Sequence, residues 1–172
     1  MSDRGDPVGG FDPQELVAVL DRHGVDYVVI GGVAARLHGS PTLTEDLDLT
    51  PERSVENLRR LASALEDLDA RLAAPGAEGG LAVPLDEFSF NSPVMAFVTR
   101  AGLVDVNLEP AGIGGYEHIA SRAVEYEVSG IRLRVAALQD IIRSKETSDR
   151  PKDRAQLDIL RDLADELARR GR

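Results

Sequence analysis

Residues 26–50 read DYVVIGGVAARLHGSPTLTEDLDLT, and the pattern of these residues is the strongest indication of the fold. Its apolar start, residues 26–30, predicts a short buried strand that the glycine doublet at 31–32 brings to an end. An Ala-rich turn of helix is predicted over residues 33–38. Residues 43–50 then alternate between apolar and polar side chains, as a half-buried strand does. The stretch therefore predicts a strand, a glycine turn, a helix and a second strand, in that order.

The second of these strands places two aspartates on one face. Asp46 and Asp48 are two residues apart, so their carboxylates project in parallel from one rigid element. A third carboxylate, Asp105, lies with Asn107 on the polar side of a strand predicted over residues 103–108. Oxygen ligands of this kind hold hard divalent cations, and three carboxylates can clamp two magnesium ions around a triphosphate. The alternative is an acidic, solvated sheet face, in which the like charges would repel one another without a cation.

The glycine doublet also has two interpretations. Gly31 and Gly32 serve a tight turn through their backbone freedom alone, or their missing side chains let backbone N–H groups at a helix start approach phosphate oxygens. Neither GxGxxG nor GxxxxGK[ST] is present at this turn, which disfavours dinucleotide-binding and P-loop chemistry. His38, which precedes Gly39, is a further candidate for lining the site.

The flanking sequence supplies the other elements. The predicted helices are one from the Asp12 cap to near Gly24, one that opens at Ser54 with a leucine stripe running to Leu72, and two after residue 137 that are separated at Arg150-Pro151. The Gly/Pro-rich residues 75–84 predict a mobile loop. The predicted hairpins join residues 94–99 to 103–108 and residues 124–128 to 131–135, the second pairing Glu127 with Arg132 and Glu125 with Arg134.

Together these elements predict an α/β (α+β) fold with a mixed, largely antiparallel sheet flanked by helices. A length of 172 residues favours a single domain, with its core over residues 1–135 and a helical segment packed on it over residues 136–172. The net charge of -10 disfavours a broad nucleic-acid surface but leaves room for a local basic pocket. The absence of cysteine excludes disulfides, Cys-based zinc sites and thiol nucleophiles. Residues 1–10 lack the apolar segment of a signal peptide and no apolar run is long enough to span a membrane, so we expect a cytoplasmic protein without a membrane partner.

Several segments resemble the minimal nucleotidyltransferases of the DNA polymerase beta superfamily, close to the abortive-infection toxin type. VIGGVAA at 29–35, HGSP at 38–41 and LTEDLDL at 43–49 are similar to that family's glycine doublet, helix and T-x-D-h-D strand. Val104-Asp105-Val106 resembles its third-carboxylate strand. Lys145 with RPKD at 150–153 resembles its helical K-x4-R-P-K-D segment. The resemblance extends from residue 25 to about residue 165.

The resemblance implies magnesium-dependent transfer of a nucleoside monophosphate from ATP or another NTP to an acceptor hydroxyl or phosphate. Asp46, Asp48 and Asp105 would be catalytic and would bind two Mg²⁺ ions, with Asp105 also acting as the general base. The nucleotide would be bound by the other motif residues, namely Gly31, Gly32, Thr44, Lys145, Arg150 and Lys152. For the last three, the ordinary alternative is the basic end of an exposed helix.

The acceptor stays open among a small molecule such as an aminoglycoside or lincosamide antibiotic, a tRNA 3′ end and a protein hydroxyl. A toxin role would add an antitoxin as partner. Two positions depart from the family pattern. Thr42 stands where many members have Arg, so one phosphate contact is expected to be missing, and Gln156 stands where an acid is expected. The competing interpretation is a catalytically weak or inactive module on the same fold that binds nucleotide or another protein.

Overall fold

The computed structural model describes residues 10–171, which form six helices and one eight-stranded sheet. The helices are α1 (Pro13–Arg22), α2 (Gly31–Leu37), α3 (Val55–Asp67), α4 (Tyr116–Ala120), α5 (Leu138–Ser148) and α6 (Pro151–Arg170). The strands are β1 (Tyr27–Ile30), β2 (Asp46–Pro51), β3 (Arg71–Ala74), β4 (Ala77–Leu81), β5 (Val94–Thr99), β6 (Gly102–Asn107), β7 (Val124–Val128) and β8 (Ile131–Val135). The prediction that residues 1–10 lack a signal segment falls almost wholly on residues 1–9, which lie outside the described residues.

The sheet has the strand order β4-β3-β5-β6-β2-β1-β8-β7. Two of its neighbouring pairs, β2 with β6 and β1 with β8, are parallel, and the other pairs in this order are antiparallel. The mixed, mostly antiparallel sheet flanked by helices is therefore confirmed. The fully buried Leu47 and Leu49 belong to the same apolar core as α1 and α3, so the aspartates that alternate with them face the other side.

Local sequence explains where the principal helices begin. Asp12 caps α1 by accepting a hydrogen bond from the backbone N–H of Glu15 at 3.0 Å, and Pro13 occupies the first turn. Ser54 caps α3 in the same way through the N–H of Asn57 at 3.2 Å. Both helix starts agree with the predictions, because the capping side chains are visible in the sequence.

The structure corrects the prediction for residues 43–45. β2 begins at Asp46 rather than at residue 43, since the first register partners are Asp46 and Leu103. The side chain of Leu43 is 83% exposed, which is incompatible with the apolar side of a half-buried strand. Thr44 instead turns its hydroxyl to the backbone and side chain of Asp46. The predicted position of the glycine doublet before the helix is also wrong. Gly31 and Gly32 form the first turn of α2 and do not precede it.

The segment that follows α3 is also different from the prediction. The leucine stripe of this helix ends at Leu68, because Asp69 adopts a left-handed backbone conformation with φ of 55°. Leu72 belongs to β3 and pairs with Phe97 of β5. Half of the predicted mobile loop at residues 75–84 is a strand instead: Pro75 and Gly76 connect β3 to β4 (Ala77–Leu81), whose first residue Ala77 pairs with Ala74.

The two predicted hairpins are confirmed. β5 and β6 are antiparallel neighbours, and β7 and β8 pair Glu127 with Arg132 and Glu125 with Arg134 in the expected register. α5 and α6 reproduce the two predicted C-terminal helices, and Leu157 and Leu160 of α6 belong to the main core. The division at residue 135 stays a prediction. Within residues 10–171, none of the helices combines the length and the apolar character that crossing a membrane requires.

Candidate active site

Three carboxylates meet on one face of the sheet. Asp46 and Asp48 come from β2, and Asp105 comes from the parallel neighbour β6, where it is the register partner of Asp48. One carboxylate oxygen from each residue lies within 4.8 Å of the other two. The predicted convergence of the three aspartates is therefore confirmed, since the parallel register of β2 and β6 brings them side by side.

The carboxylates perturb one another. Burial raises the pKa of Asp48 well above its ordinary value, and the negative charges of Asp46 and Asp105 raise it further. The positive charges of Lys152 and Lys145 act in the opposite direction without cancelling the effect. A divalent cation would relieve this repulsion, and three carboxylates on rigid strands are the oxygen donor set that a hard cation prefers. The residues present thus fit a metal such as Mg²⁺.

The glycine doublet leaves space for the acidic cluster. Gly31 has φ of 65°, and a Cβ atom built on it would lie 2.8 Å from the Asp48 Cγ and closer still to one carboxylate oxygen. A Cβ on Gly32 would lie 2.7 Å from the Thr44 Oγ1. A side chain at either position would displace a neighbour within the site. In the structure, the absence of side chains at Gly31 and Gly32 therefore makes space for the side chains of Asp48 and Thr44.

Thr44 orients one of the carboxylates. Its hydroxyl lies 3.0 Å from the Asp46 Oδ1 and 3.2 Å from the Asp46 carbonyl oxygen, and it donates to this pair of acceptors. The contact restrains the carboxylate of Asp46 just before β2 enters the sheet. Thr44 is therefore part of the site through Asp46, whatever else it contacts.

Three cationic side chains lie in the same cleft as the carboxylates. Lys145 comes from the last turn of α5, and Arg150 and Lys152 lie at the start of α6. The turn between the two helices contains Asp149 in the left-handed conformation, with φ of 48°, followed by Pro151 in the first turn of α6. This break brings residues from two helices to one wall of the cleft, so the basic group is not simply the end of an exposed helix.

Asp153 holds this wall together, although sequence analysis assigned it no role beyond membership of the RPKD segment. Its carboxylate is completely buried and accepts hydrogen bonds from the Arg150 Nε at 2.7 Å and the Ser148 Oγ at 2.7 Å. The Nζ of Lys145, whose side chain is only 12% exposed, lies 3.3 Å from the other oxygen. The spacing of three residues between Arg150 and Asp153 at a helix start is the signal that could have found it.

The charge state of Asp153 follows from these contacts. Burial alone would raise its pKa, but the hydrogen bonds from Arg150 and Ser148 and the charge of Lys145 outweigh burial and lower the pKa to about 2. Asp153 is therefore ionised at neutral pH. Its negative charge compensates the two cations locally and fixes their positions opposite the metal-type cluster.

No family model and no curated protein matches the sequence, whereas several solved structures match the fold. The lincosamide antibiotic adenylyltransferase LnuA, solved with lincomycin, aligns with a TM-score of 0.59 and 12% identity over 90% of this chain and 99% of that chain. ANT(2'')-Ia in complex with adenylyl-2''-tobramycin gives a TM-score of 0.55 and 19% identity over 90% and 86%. The Thermotoga maritima protein TM1012 gives a TM-score of 0.52 and 14% identity over 92% and 98%. The chain has the nucleotidyltransferase fold.

We call the side of the cleft formed by Lys145, Arg150 and Lys152 the cationic wall. In this nucleotidyltransferase fold, the cleft between the carboxylates and the cationic wall has a volume of about 1410 Å³. Its lining also includes Asn107, Leu43 and Ile113, so that both polar and apolar side chains surround the charged centre. Thr42 and Gln156, the two departures from the family pattern, both line the cleft. The Nη1 of Arg36 donates to the Thr42 carbonyl oxygen at 3.3 Å, which places a guanidinium beside the position where many members carry arginine.

His38 is not among the residues that line the cleft, so its selection as a candidate is corrected. Its Nε2 lies 2.8 Å from the Ala136 carbonyl oxygen, and its Nδ1 lies 3.0 Å from the Tyr126 hydroxyl. A carbonyl accepts only, so Nε2 carries the proton and Nδ1 accepts from Tyr126. His38 thus fastens the end of α2 to β7 and β8 of the nucleotidyltransferase fold.

Proposed function

We propose that the protein is a magnesium-dependent nucleotidyltransferase that moves a nucleoside monophosphate from an NTP to an acceptor hydroxyl or phosphate. The observation that carries this proposal is the arrangement of Asp46, Asp48 and Asp105, with oxygens within 4.8 Å of one another, in one cleft with three cations. A sheet face that was merely acidic would need no cations opposite it. Phosphoryl-type transfer needs the carboxylates and the cations together, because it depends on positioning and on neutralising charge.

The carboxylates would hold the metal, and two Mg²⁺ ions fit the donor number of such a site. Mg²⁺, when bound there, supplies positive charge to the phosphate oxygens of the NTP. Asp105, the carboxylate on β6, would also accept the proton of an acceptor hydroxyl, as the sequence resemblance implies. The acceptor oxygen would form the new bond to the α-phosphorus while the bond from that phosphorus to pyrophosphate breaks.

The cationic wall would bind the leaving group. Lys145, Arg150 and Lys152 carry fixed positive charge at the cleft, and the buried Asp153 keeps two of them in place. Gly31 and Gly32 would complete the nucleotide site, because their lack of side chains keeps the backbone beside Asp48 open. Thr44 would act through its hydrogen bond to Asp46.

Three acceptor classes fit this chemistry. LnuA is an adenylyltransferase for lincosamide antibiotics and ANT(2'')-Ia has been seen with an adenylylated aminoglycoside, which supports a small hydroxylated molecule. A tRNA 3′ end would belong to a toxin with an antitoxin partner, as the sequence resemblance implies, and a protein hydroxyl is the third acceptor class. The net charge of -10 favours the small molecule over a long polyanion.

The test is a transfer assay on the purified full-length protein. Each α-labelled NTP is incubated with MgCl₂ and, separately, with lincomycin, tobramycin, total cellular RNA or total cellular protein. We expect label to enter one acceptor class, and Asp105→Asn to abolish the transfer. Asp158→Asn is the matched control, since the side chain of Asp158 is 91% exposed on α6.

Two outcomes would decide against the enzyme. Labelling that persists in Asp105→Asn would separate the activity from the acidic cluster. Nucleotide binding with no transfer to any of the four acceptors would favour the alternative, a catalytically inactive nucleotide-binding or protein-binding module on the same fold.

A further inference from the structure

A row of neutral polar side chains lies one step along the strands from the carboxylates. Thr50 follows Asp48 by two residues on β2, and Asn107 follows Asp105 by two residues on β6, so both side chains lie on the carboxylate face. The last register partners of these strands are Leu49 and Val106, and Thr50 and Asn107 are the next positions along each strand. The two polar side chains are therefore neighbours.

Both of these side chains have a buried polar atom without a partner. Thr50 is completely buried, and among residues 10–171 its Oγ1 has no hydrogen-bond partner. The Oδ1 of Asn107 is buried as well and is equally unpaired within the described part of the chain. Burying a polar group without a hydrogen bond costs stability, so two such atoms on neighbouring strands, one of them on a residue that lines the cleft, call for a functional explanation.

The chemistry of the two groups is complementary. The hydroxyl of Thr50 is a donor, and the Oδ1 of Asn107 is an acceptor. Asn107 lines the cleft, and its carbonyl oxygen is the buried end of the carboxamide, so the amide nitrogen is the end that can reach a bound molecule. A hydrogen bond from Thr50 to Oδ1 would hold that nitrogen towards the cleft.

Position and charge define what this amide would bind. A step of two residues along β6 puts Asn107 about 6.6 Å from Asp105. A neutral amide is suited to a hydroxyl group rather than to a phosphate or a metal ion, which the cationic wall and the carboxylates would take. The ribose of an NTP is joined to the α-phosphate by one oxygen and one methylene group, so its hydroxyls can reach this position when the phosphates lie at the carboxylates.

We propose that Asn107 and Thr50 form a ribose-hydroxyl subsite of the cleft. Asn107 donates from its amide nitrogen to a ribose hydroxyl in the nucleotide complex. The Thr50 Oγ1 and the Asn107 Oδ1 are not hydrogen-bonded to each other in the structure, so Thr50 is a positioning residue that donates to Oδ1 only when the nucleotide is bound. This inference rests on the proposed function, because it assumes that the phosphates of a nucleotide lie between the carboxylates and the cationic wall. It adds a structural basis for selecting ribonucleotides.

The test uses calorimetric titration of the full-length protein with the magnesium complex of each of the four NTPs and of its 2′,3′-dideoxy form. We expect the wild-type protein to bind the ribose form about two- to tenfold more tightly, the range of one net hydrogen bond. Asn107→Ala and Thr50→Val should each reduce this preference towards one, and Thr50→Ser should restore it.

Thr99→Val is the matched control. Thr99 is also a buried strand threonine, but its hydroxyl donates to the Gly102 carbonyl at 2.7 Å and accepts from the Ala101 N–H at 3.1 Å. We expect Thr99→Val to lower the melting temperature and to leave the ribose preference intact, whereas Thr50→Val should not lower the melting temperature. Equal affinity of the wild-type protein for both nucleotide forms, or an unchanged preference in Thr50→Val and Asn107→Ala, would overturn the subsite. Failure of all four NTPs to bind would instead overturn the proposed function, and the subsite with it.

Discussion

The buried carboxylate of Asp153 allows a quantitative prediction. Its pKa of about 2, compared with an ordinary value of 3.8, corresponds to about 2–3 kcal/mol of stabilisation when the group is ionised. Substitution by Asn removes the charge and leaves Lys145, only 12% exposed, without its carboxylate. Breaking a buried pair by removing one partner costs about 3–5 kcal/mol. We therefore expect Asp153→Asn to lower the free energy of unfolding at pH 7 by about 2–4 kcal/mol.

The sign of the pH dependence follows from the direction of the shift. Because the folded pKa lies below the unfolded value of 3.8, the stabilisation by Asp153 is complete well above pH 3.8 and is lost as the pH falls towards about 2. Urea unfolding at a series of pH values should therefore show the wild-type protein and Asp153→Asn converging in stability at acid pH. The difference between the two curves isolates this residue from the other carboxylates.

Asp149→Asn provides the matched control. Asp149 also pairs with an arginine, Arg154, at 2.6 Å, but both side chains are more than half exposed. Exposed ion pairs contribute about 0–1 kcal/mol, so this variant should unfold almost as the wild-type protein does. A loss below about 0.5 kcal/mol in Asp153→Asn, or parallel pH curves, would refute the argument that Asp153 organises the cationic wall.

Three further predictions concern the site. Lys145→Ala should weaken binding of a magnesium nucleotide by about 1.5–3 kcal/mol in calorimetry, whereas Arg143→Ala on the exposed side of α5 should not. Asp48→Asn should raise the melting temperature in metal-free buffer, because it removes one of three neighbouring negative charges. It should also abolish the increase in melting temperature that we expect Mg²⁺ to give the wild-type protein. A melting temperature below that of the wild-type protein in EDTA would contradict this prediction. Gly32→Val should displace Thr44 and reduce nucleotide affinity in the folded protein, and unchanged affinity would remove the glycine doublet from the site.

Much of the fold could be predicted because its signals are local. The caps Asp12 and Ser54 and the Ser129-Gly130 turn of the second hairpin each specify a structure within a few residues. Residues 75–84 misled because glycine and proline favour turns in general, whereas β4 exists through pairing with β3. Leu72 continued the helical spacing by coincidence, since the ending of α3 depends on the backbone conformation of Asp69.

The candidate site, like the fold, has one part that follows from local sequence and another that depends on long-range pairing. Asp46 and Asp48 share a strand, so their common direction follows from the sequence alone, and the polarity of Asp105 suggested the third position. The parallel register that makes Asp48 and Asp105 neighbours depends on the whole sheet and was accessible only through the family resemblance. The unpaired atoms of Thr50 and Asn107 could not be predicted from local sequence either, because an unsatisfied hydrogen bond is a property of the surroundings and not of either residue.

The two walls of the cleft are made at different times during synthesis. The carboxylates are complete once β6 has formed, but the cations follow about 40 residues later, after the β7–β8 hairpin. A nascent chain that has not yet added α5 and α6 carries three converging acids and none of Lys145, Arg150 and Lys152. Such a chain lacks the wall that we expect to bind triphosphate, so the order of the elements itself delays nucleotide use until α5 and the start of α6 have been translated.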